Sequence, residues 1–308
     1  MKFAREPPED QAVLDLFEQS GAGESFDGWL LVDAALVDER SLRNVTASLP
    51  LPMANALRSS PFSVYGSRAP QFAPLPRERE AALDLVRRVN AIDSRAPAIS
   101  IVRSSSSGAA LEHLFSYLAR ATIDLDLPVH CRFADTRVLP SLLRQLSARQ
   151  LARISRDVFR WSWIDHHGDS ASWAWQHGTE LDEADGDQHL SLSTTQLNAM
   201  LASSEPDTMF DLLLENTPEL VPAKGRGYFR DRLSRILHSA DTRSVEIPQD
   251  RLQFLILGLG FGEAFHNNED LQTTWHAIAA KQTTLLDSMK NWDDDFWKRL
   301  ETKEGALP

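Results

Sequence analysis

Cysteine is nearly absent: Cys131 is the single one in 308 residues. One thiol excludes an intramolecular disulfide framework and fits a reducing compartment. It stands in an alternating apolar pattern with Val129 and Phe133, which reads as a buried, inert thiol rather than a nucleophile. Long apolar runs are also missing. The longest, from Phe254 to Phe261, is far too short to cross a bilayer. The first twenty residues, MKFAREPPEDQAVLDLFEQS, contain no apolar stretch of the kind a secretory signal needs. These absences set the expectation of a cytoplasmic protein with no membrane partner.

Lysine is scarce in the first half, where nineteen of the twenty basic residues of 1–160 are arginine. Against nineteen acidic residues they leave that half at +1, whereas 161–308 holds 12 basic and 25 acidic residues, a net −13. A phosphate backbone would be repelled by such a second half, so no nucleic acid is expected as a ligand there. A basic protein partner is favoured, with a solvated surface as the bland alternative. Overall, 42% hydrophobic and 25% charged residues are ordinary for a globular chain large enough for two domains.

Catalytic signatures are missing as well. Ser104 to Ser107 and Gly108 join an apolar strand pattern (99–102) to a helical pattern (109–121), the layout of a phosphate-binding turn. The glycines and Gly-Lys-Ser/Thr of a phosphate loop are absent, so the serines read as helix caps. No Gly-x-Ser-x-Gly elbow occurs. His166, His167, Asp169 and His177 match no zinc spacing. Gly258, Gly260 and Gly262 do not have dinucleotide-loop spacing and read as a close helix–helix approach. No cofactor, no metal and no catalytic residue is expected.

Along the chain, a short helix is predicted over 10–18 and ended by Gly21-Ala22-Gly23. A central strand follows at Trp29 to Val32, then a helix over 33–45. Strands are predicted at Phe62 to Tyr65 and, Pro-flanked and at an edge, at Gln71 to Leu75, followed by a helix over 77–90. Trp161 to Ile164 and Ser172 to Gln176 alternate with period two around Asp165-His166-His167-Gly168-Asp169, a hairpin pattern with aromatic cross-strand pairs. The acidic run 179–189 reads as a linker. Helices are predicted over 194–203, 207–216, 227–239, 249–265, 270–289 and 293–302, with Pro206 and Pro248 at helix starts. The organisation read from this is an N-terminal helix (1–25), an α/β lobe with a mixed sheet (26–178), a linker (179–189) and an all-α lobe (190–308).

The stretch 129–151 carries the most information. A strand pattern over 129–133 runs into Asp135 at an N-cap position. Leu139, Leu142, Leu143, Leu146 and Leu151 then follow at helical spacing, with Pro140 near the start. Arg132 and Arg137 flank Asp135 closely enough to pair with it. This run of Arg132, Phe133, Asp135, Arg137, Val138 and Leu139 before a Leu/Gln-rich helix resembles the signature of the domain of unknown function 4123. That family is the effector chaperones or adaptors of bacterial type VI secretion. Ala134 stands where an aromatic is usual and Thr136 where Pro is usual. Gly28 to Ala35, Ala69 to Leu75, and Ile101 to Ser107 leading to Leu111 and Leu118 agree in order, so the resemblance covers roughly 26–165.

The resemblance implies a cytoplasmic, non-enzymatic chaperone that holds a toxic effector protein in a 1:1 complex and helps load it onto the VgrG spike. The motif residues would be structural or spike-facing. Cargo is expected on the helical lobe, with Trp275, Trp292, Phe296 and Trp297 as candidate anchors. The alternatives are an enzyme with a Ser/His site near 104–108, in which the histidines would converge on those serines, and a structural subunit, in which the chain would self-associate.

Overall fold

In a computed structural model of the chain, the apolar run after Gly28 forms β1 (Asp27–Val32), which pairs antiparallel with β3 (Gln71–Pro74) on one side and β4 (Ile99–Ser104) on the other. The structure describes residues 3–19, 27–47, 49, 51–123, 127–175 and 189–303. Two units are present, Arg5–Ser204 and Glu205–Pro308, with Met1–Ala4 counted in the second.

In the first unit, β2 (Ala54–Asn55), β7 (Arg160–Ile164) and β8 (Ser170–Ala174) complete a six-stranded sheet of order β2-β3-β1-β4-β7-β8, antiparallel at every pairing. A smaller sheet, β6 (Leu127–His130), β5 (Arg120–Ile123) and β9 (Leu190–Leu192), has one antiparallel and one parallel pairing. The main sheet is covered on both faces. Val13, Leu16 and Phe17 of α1 (Asp10–Gln19) and Val86 of α3 (Arg79–Asn90) meet Ile101 and Ile164 on one face. On the other, Leu31, Val102 and Trp161 meet Leu111 and Phe115 of α4 (Gly108–Ala119) and Leu139 and Leu142 of α5 (Leu139–Gln145). Each of these large side chains contributes about 1.5–3 kcal/mol by burial.

The hairpin forms as the alternation predicts: Trp161 pairs with Trp173 across β7 and β8. Its turn closes through Gly168 (φ 87), where a Cβ would stand 2.8 Å from the Pro7 carbonyl oxygen. Only glycine fits both the left-handed backbone and that approach.

Four predictions for this unit need correction. The helix expected over 33–45 is α2 (Glu39–Thr46), because Asp38 accepts from the Ser41 N–H and caps it there. Pro61–Arg68 is a 3₁₀ segment, not a strand; Ser60 accepts from the Phe62 N–H and Pro61 occupies the first turn. Strand β3 is interior, with the two-residue β2 outside it. The helix after Pro140 is broken: Ser147 and Gln150 form a capping box that begins α6 (Ala148–Ser155).

The second unit is helical. α7 (Thr194–Asn216) runs through Pro206 without a break, and the division between the units falls inside it. Pro206 therefore does not start a helix. It lies on the buried face with Met209, Phe210 and Leu213, so packing overrides propensity. α8 (Arg226–Thr242) packs on α9 (Pro248–Phe261), where Pro248 does take the first turn. A Cβ on Gly258 would come within 2.8 Å of Ile236 Cγ2, which fits the close helix approach read from the glycines. The helix expected over 270–289 is interrupted into α10 (Gln272–Ala279) and α11 (Leu285–Met289), and α12 (Asp294–Lys303) follows. Among the described residues no helix is long and apolar enough to cross a membrane. Gly21 to Gly23, His177 and all of the expected linker except His189 lie outside the described residues.

Candidate functional site

The turn between β6 and α5 is a charged node at the ends of β1 and β7. Phe133 and Leu139 are fully buried, and Phe133 stacks on Phe115 at 5.4 Å. Asp135, 1% exposed, takes a fork from Arg137: Nε donates to Oδ1 at 3.1 Å and Nη2 to Oδ2 at 2.7 Å. Its Oδ1 also accepts from the Arg137 backbone N–H, and its carbonyl accepts from the N–H groups of Val138 and Leu139. Asp135 thus closes the turn ahead of the helix, three residues earlier than an N-cap would stand. Arg132 is 3.6 Å from Asp135 and donates from Nη2 to Asp33 Oδ2 at 2.9 Å.

Asp33 follows β1 and is itself buried. Burial raises its carboxyl above the usual range, and Arg132 pulls the other way through charge and hydrogen bond. Arg5, 131 residues before Thr136, donates to the Thr136 hydroxyl at 3.1 Å and to the carbonyls of Ile164 and Asp165. The Thr136 N–H donates to the Pro97 carbonyl. A proline at 136, usual in the resembling family, could make neither Thr136 bond. The node therefore ties the ends of β1, β4's approach, β7 and the N-terminal segment to one turn. Three charged side chains, Arg5, Asp33 and Asp135, are buried with hydrogen-bond partners, an arrangement that holds the turn together. Asp33 and Arg5 were missed from sequence: at separations of 99 and 131 residues no local pattern points to either.

Beside the node, burial pushes the Cys131 thiol up to about 12, so it is not a thiolate near neutrality. The serines of the 104–107 turn are engaged locally. Ser104 Oγ accepts from the Ser106 N–H, Ser106 Oγ donates to Asp157 at 2.6 Å, and Ser107 caps α4. They adjoin the Arg160 end of β7, because Arg103 pairs with Arg160. His166 and His167 lie beyond Ile164 at the opposite end. Five strand residues at about 3.3 Å each put about 16 Å between the groups, so these histidines do not converge on the serines.

An apolar prominence is exposed on the 3₁₀ segment. Val64 is 82% and Tyr65 45% exposed, while Phe62 stacks on Tyr65 and sits 4.3 Å from the His130 ring. Burial, with Arg132 nearby, lowers the His130 pKa.

In the helical unit the four aromatic candidates part company. Trp275 is 3% exposed; its indole donates to the His266 carbonyl at 2.8 Å and its ring meets Phe254 and Phe265. It fills the core and is removed from the interface candidates. Trp292, Phe296 and Trp297 are half-buried and form one cluster, with Trp292 4.7 Å from Phe296 and 5.0 Å from Trp297. The acidic excess is also redistributed. Of the net −13, residues 205–308 carry 12 basic and 18 acidic residues, a net −6; five more acidic residues lie in 180–187 and two in the hairpin turn.

Residues 28–153 match the family model described as Domain of unknown function (DUF4123), less than half of the chain. The match contains the Arg132–Leu139 turn, the 3₁₀ prominence and β1 through most of α6. No curated protein matches the chain, and no solved structure does.

Proposed function

We propose that the chain is a non-enzymatic chaperone or adaptor that holds a toxic effector of bacterial type VI secretion and helps load it onto the VgrG spike. The observation that carries this reading is the prominence: Val64 and Tyr65 project from a segment whose base is packed, inside the stretch that matches the family model. Exposed apolar residues on a fixed element are what a docking surface needs. The spike is assigned to this unit. The effector is assigned to the helical unit, where Trp292, Phe296 and Trp297 present a half-buried aromatic cluster beside Asp293, Asp294 and Asp295. The chain would act as a monomer with one effector, in the cytoplasm, with no cofactor.

The test uses the full chain co-expressed with a candidate toxin and spike protein from the same genome. Val64→Asp should reduce recovery of the spike and spare the effector. Trp292→Ala with Trp297→Ala should do the reverse. Turnover of an ester, nucleotide or peptidoglycan fragment that disappears in Ser106→Ala would overturn the reading in favour of an enzyme.

A further inference from the structure

From Thr136 to Arg156 the chain holds five arginines and no aspartate, glutamate or lysine, although its net charge is −12. Three of the five, Arg149, Arg153 and Arg156, belong to α6 and its C-cap. Spacings of four and three residues set them on one helix face. Leu151 and Ile154 pack against the core from the other side. Arg149 and Arg156 are exposed and Arg153 is half-buried. The Arg153 guanidinium lies 4.0 Å over the ring of the buried Tyr117, which fixes the plane of its fork.

This face is not neutralised by its surroundings. The carboxylates that flank the run are committed elsewhere, Asp135 to Arg137 and Arg132, Asp157 to the Ser106 hydroxyl. The side chains that bond α6 to its neighbours are amides: Gln150 donates to the Ser191 carbonyl, and Gln196 to Gln150 and to the Gln145 carbonyl. Among the described residues neither Arg153 nor Arg156 has a carboxylate partner, and Arg144, exposed in the last turn of α5, has none either. Helix stability does not account for the pattern. Like charges at these spacings repel by about 0.2–0.5 kcal/mol per pair. The negative C-terminal end of α6 favours Arg153 and Arg156, but Arg149 stands in the first turn, at the positive end. A long polyanion or an anionic bilayer would meet the −12 of the whole chain, whereas a short acidic segment meets this face alone.

We propose that the face formed by Arg149, Arg153 and Arg156 docks a short acidic segment of a protein partner, with carboxylates taking the forks of Arg153 and Arg156. The assignment of the spike to the first unit is deepened by this face; the partner's identity rests on that assignment, and the chemistry of the face does not.

The probe is an acetylated, amidated hexaglutamate peptide titrated onto the ¹⁵N-labelled full chain, with hexalysine as the control and a single-stranded oligonucleotide as a third arm. Hexaglutamate should move the amide signals of 148–156, hexalysine should not, and added salt should weaken the response. Arg153→Glu with Arg156→Glu should weaken hexaglutamate about tenfold, and Arg87→Glu, at an exposed position of α3, should leave it unchanged. Arg156→Glu alone, at an exposed position, should give a partial loss and replaces the double variant if that one melts early. No response in 148–156, an equal loss in Arg87→Glu, or tighter binding of the oligonucleotide at the same amides overturns the proposal. The probe involves neither effector nor spike, so failure to recover a spike is a separate result, bearing on the adaptor role alone.

Discussion

At Asp135 one carboxylate accepts two guanidinium bonds and a backbone N–H while nearly free of solvent contact. Removing it takes both guanidinium bonds to that carboxylate from Arg137, and leaves Arg132 its bond to Asp33. Asp135→Ala should cost about 3 kcal/mol, the low end for breaking a buried pair because both arginines keep some water. A urea unfolding midpoint within error of the parent would show that the node does not hold the turn. His130 supplies a pH dependence. Its pKa is lowered in the fold, so the unfolded chain binds the extra proton first as pH falls below about 6.5. Stability from this group is present above that value and is lost on acidification; His266, also lowered, acts in the same direction. Asp33, raised, acts in a lower window, above the ordinary carboxylate value, and with the opposite sign. The melting temperature should fall from pH 7.5 to pH 5.5, and His130→Gln should flatten that fall; an identical slope in the variant would remove His130 as its source. The pairing of Asp135 with Arg132 and Arg137 was readable from their spacing. The entry of Asp33 and Arg5 was not, since only the folded chain brings them there.

Among the elements, α9 offers a comparison within three residues. A Cβ at Gly258 meets Ile236 Cγ2 at 2.8 Å, whereas one at Gly260 meets nothing within 4 Å. Gly258→Ala gains about 1 kcal/mol of helix propensity but forces α8 and α9 apart at a branch point that cannot swing away, a cost of about 1–3 kcal/mol. Overpacking wins, so Gly258→Ala should lower the melting temperature and Gly260→Ala should raise it. Thermal melts showing the same sign for both would refute the close approach. The same physics explains which elements were legible in sequence. The β7–β8 hairpin was, because alternating tryptophans and a glycine turn specify register locally. The 3₁₀ segment at Pro61–Arg68 was not, because Phe62 to Tyr65 has strand propensity and only Ser60 and Pro61 say otherwise. Pro206 misled in the other direction: the helix runs through it, and its ring lies on the buried face with Met209, Phe210 and Leu213. The break at Ser147 was written in the capping box, overlooked beneath the leucine period on both sides of it.

On the scale of the whole chain, the fold class followed from alternation in the first half and helical period in the second. The proposed function did not, because a recognition surface leaves no spacing signature as a catalytic constellation does. Trp275 illustrates the limit: sequence cannot tell an anchor from a core residue, and its indole contact with His266 puts it in the core. The central claim is that one chain joins a type VI effector to its spike without chemistry of its own. The most direct measurement is the mass of the complex formed by the full chain with a candidate type VI toxin and VgrG protein from the same genome, taken by light scattering after size-exclusion chromatography. The expected result is a 1:1 chain–effector complex that associates further with the spike, the spike step lost in Val64→Asp and the effector step in the Trp292/Trp297 double variant. Three separate peaks at the masses of the free proteins, with the chain folded and the toxin soluble, would contradict it.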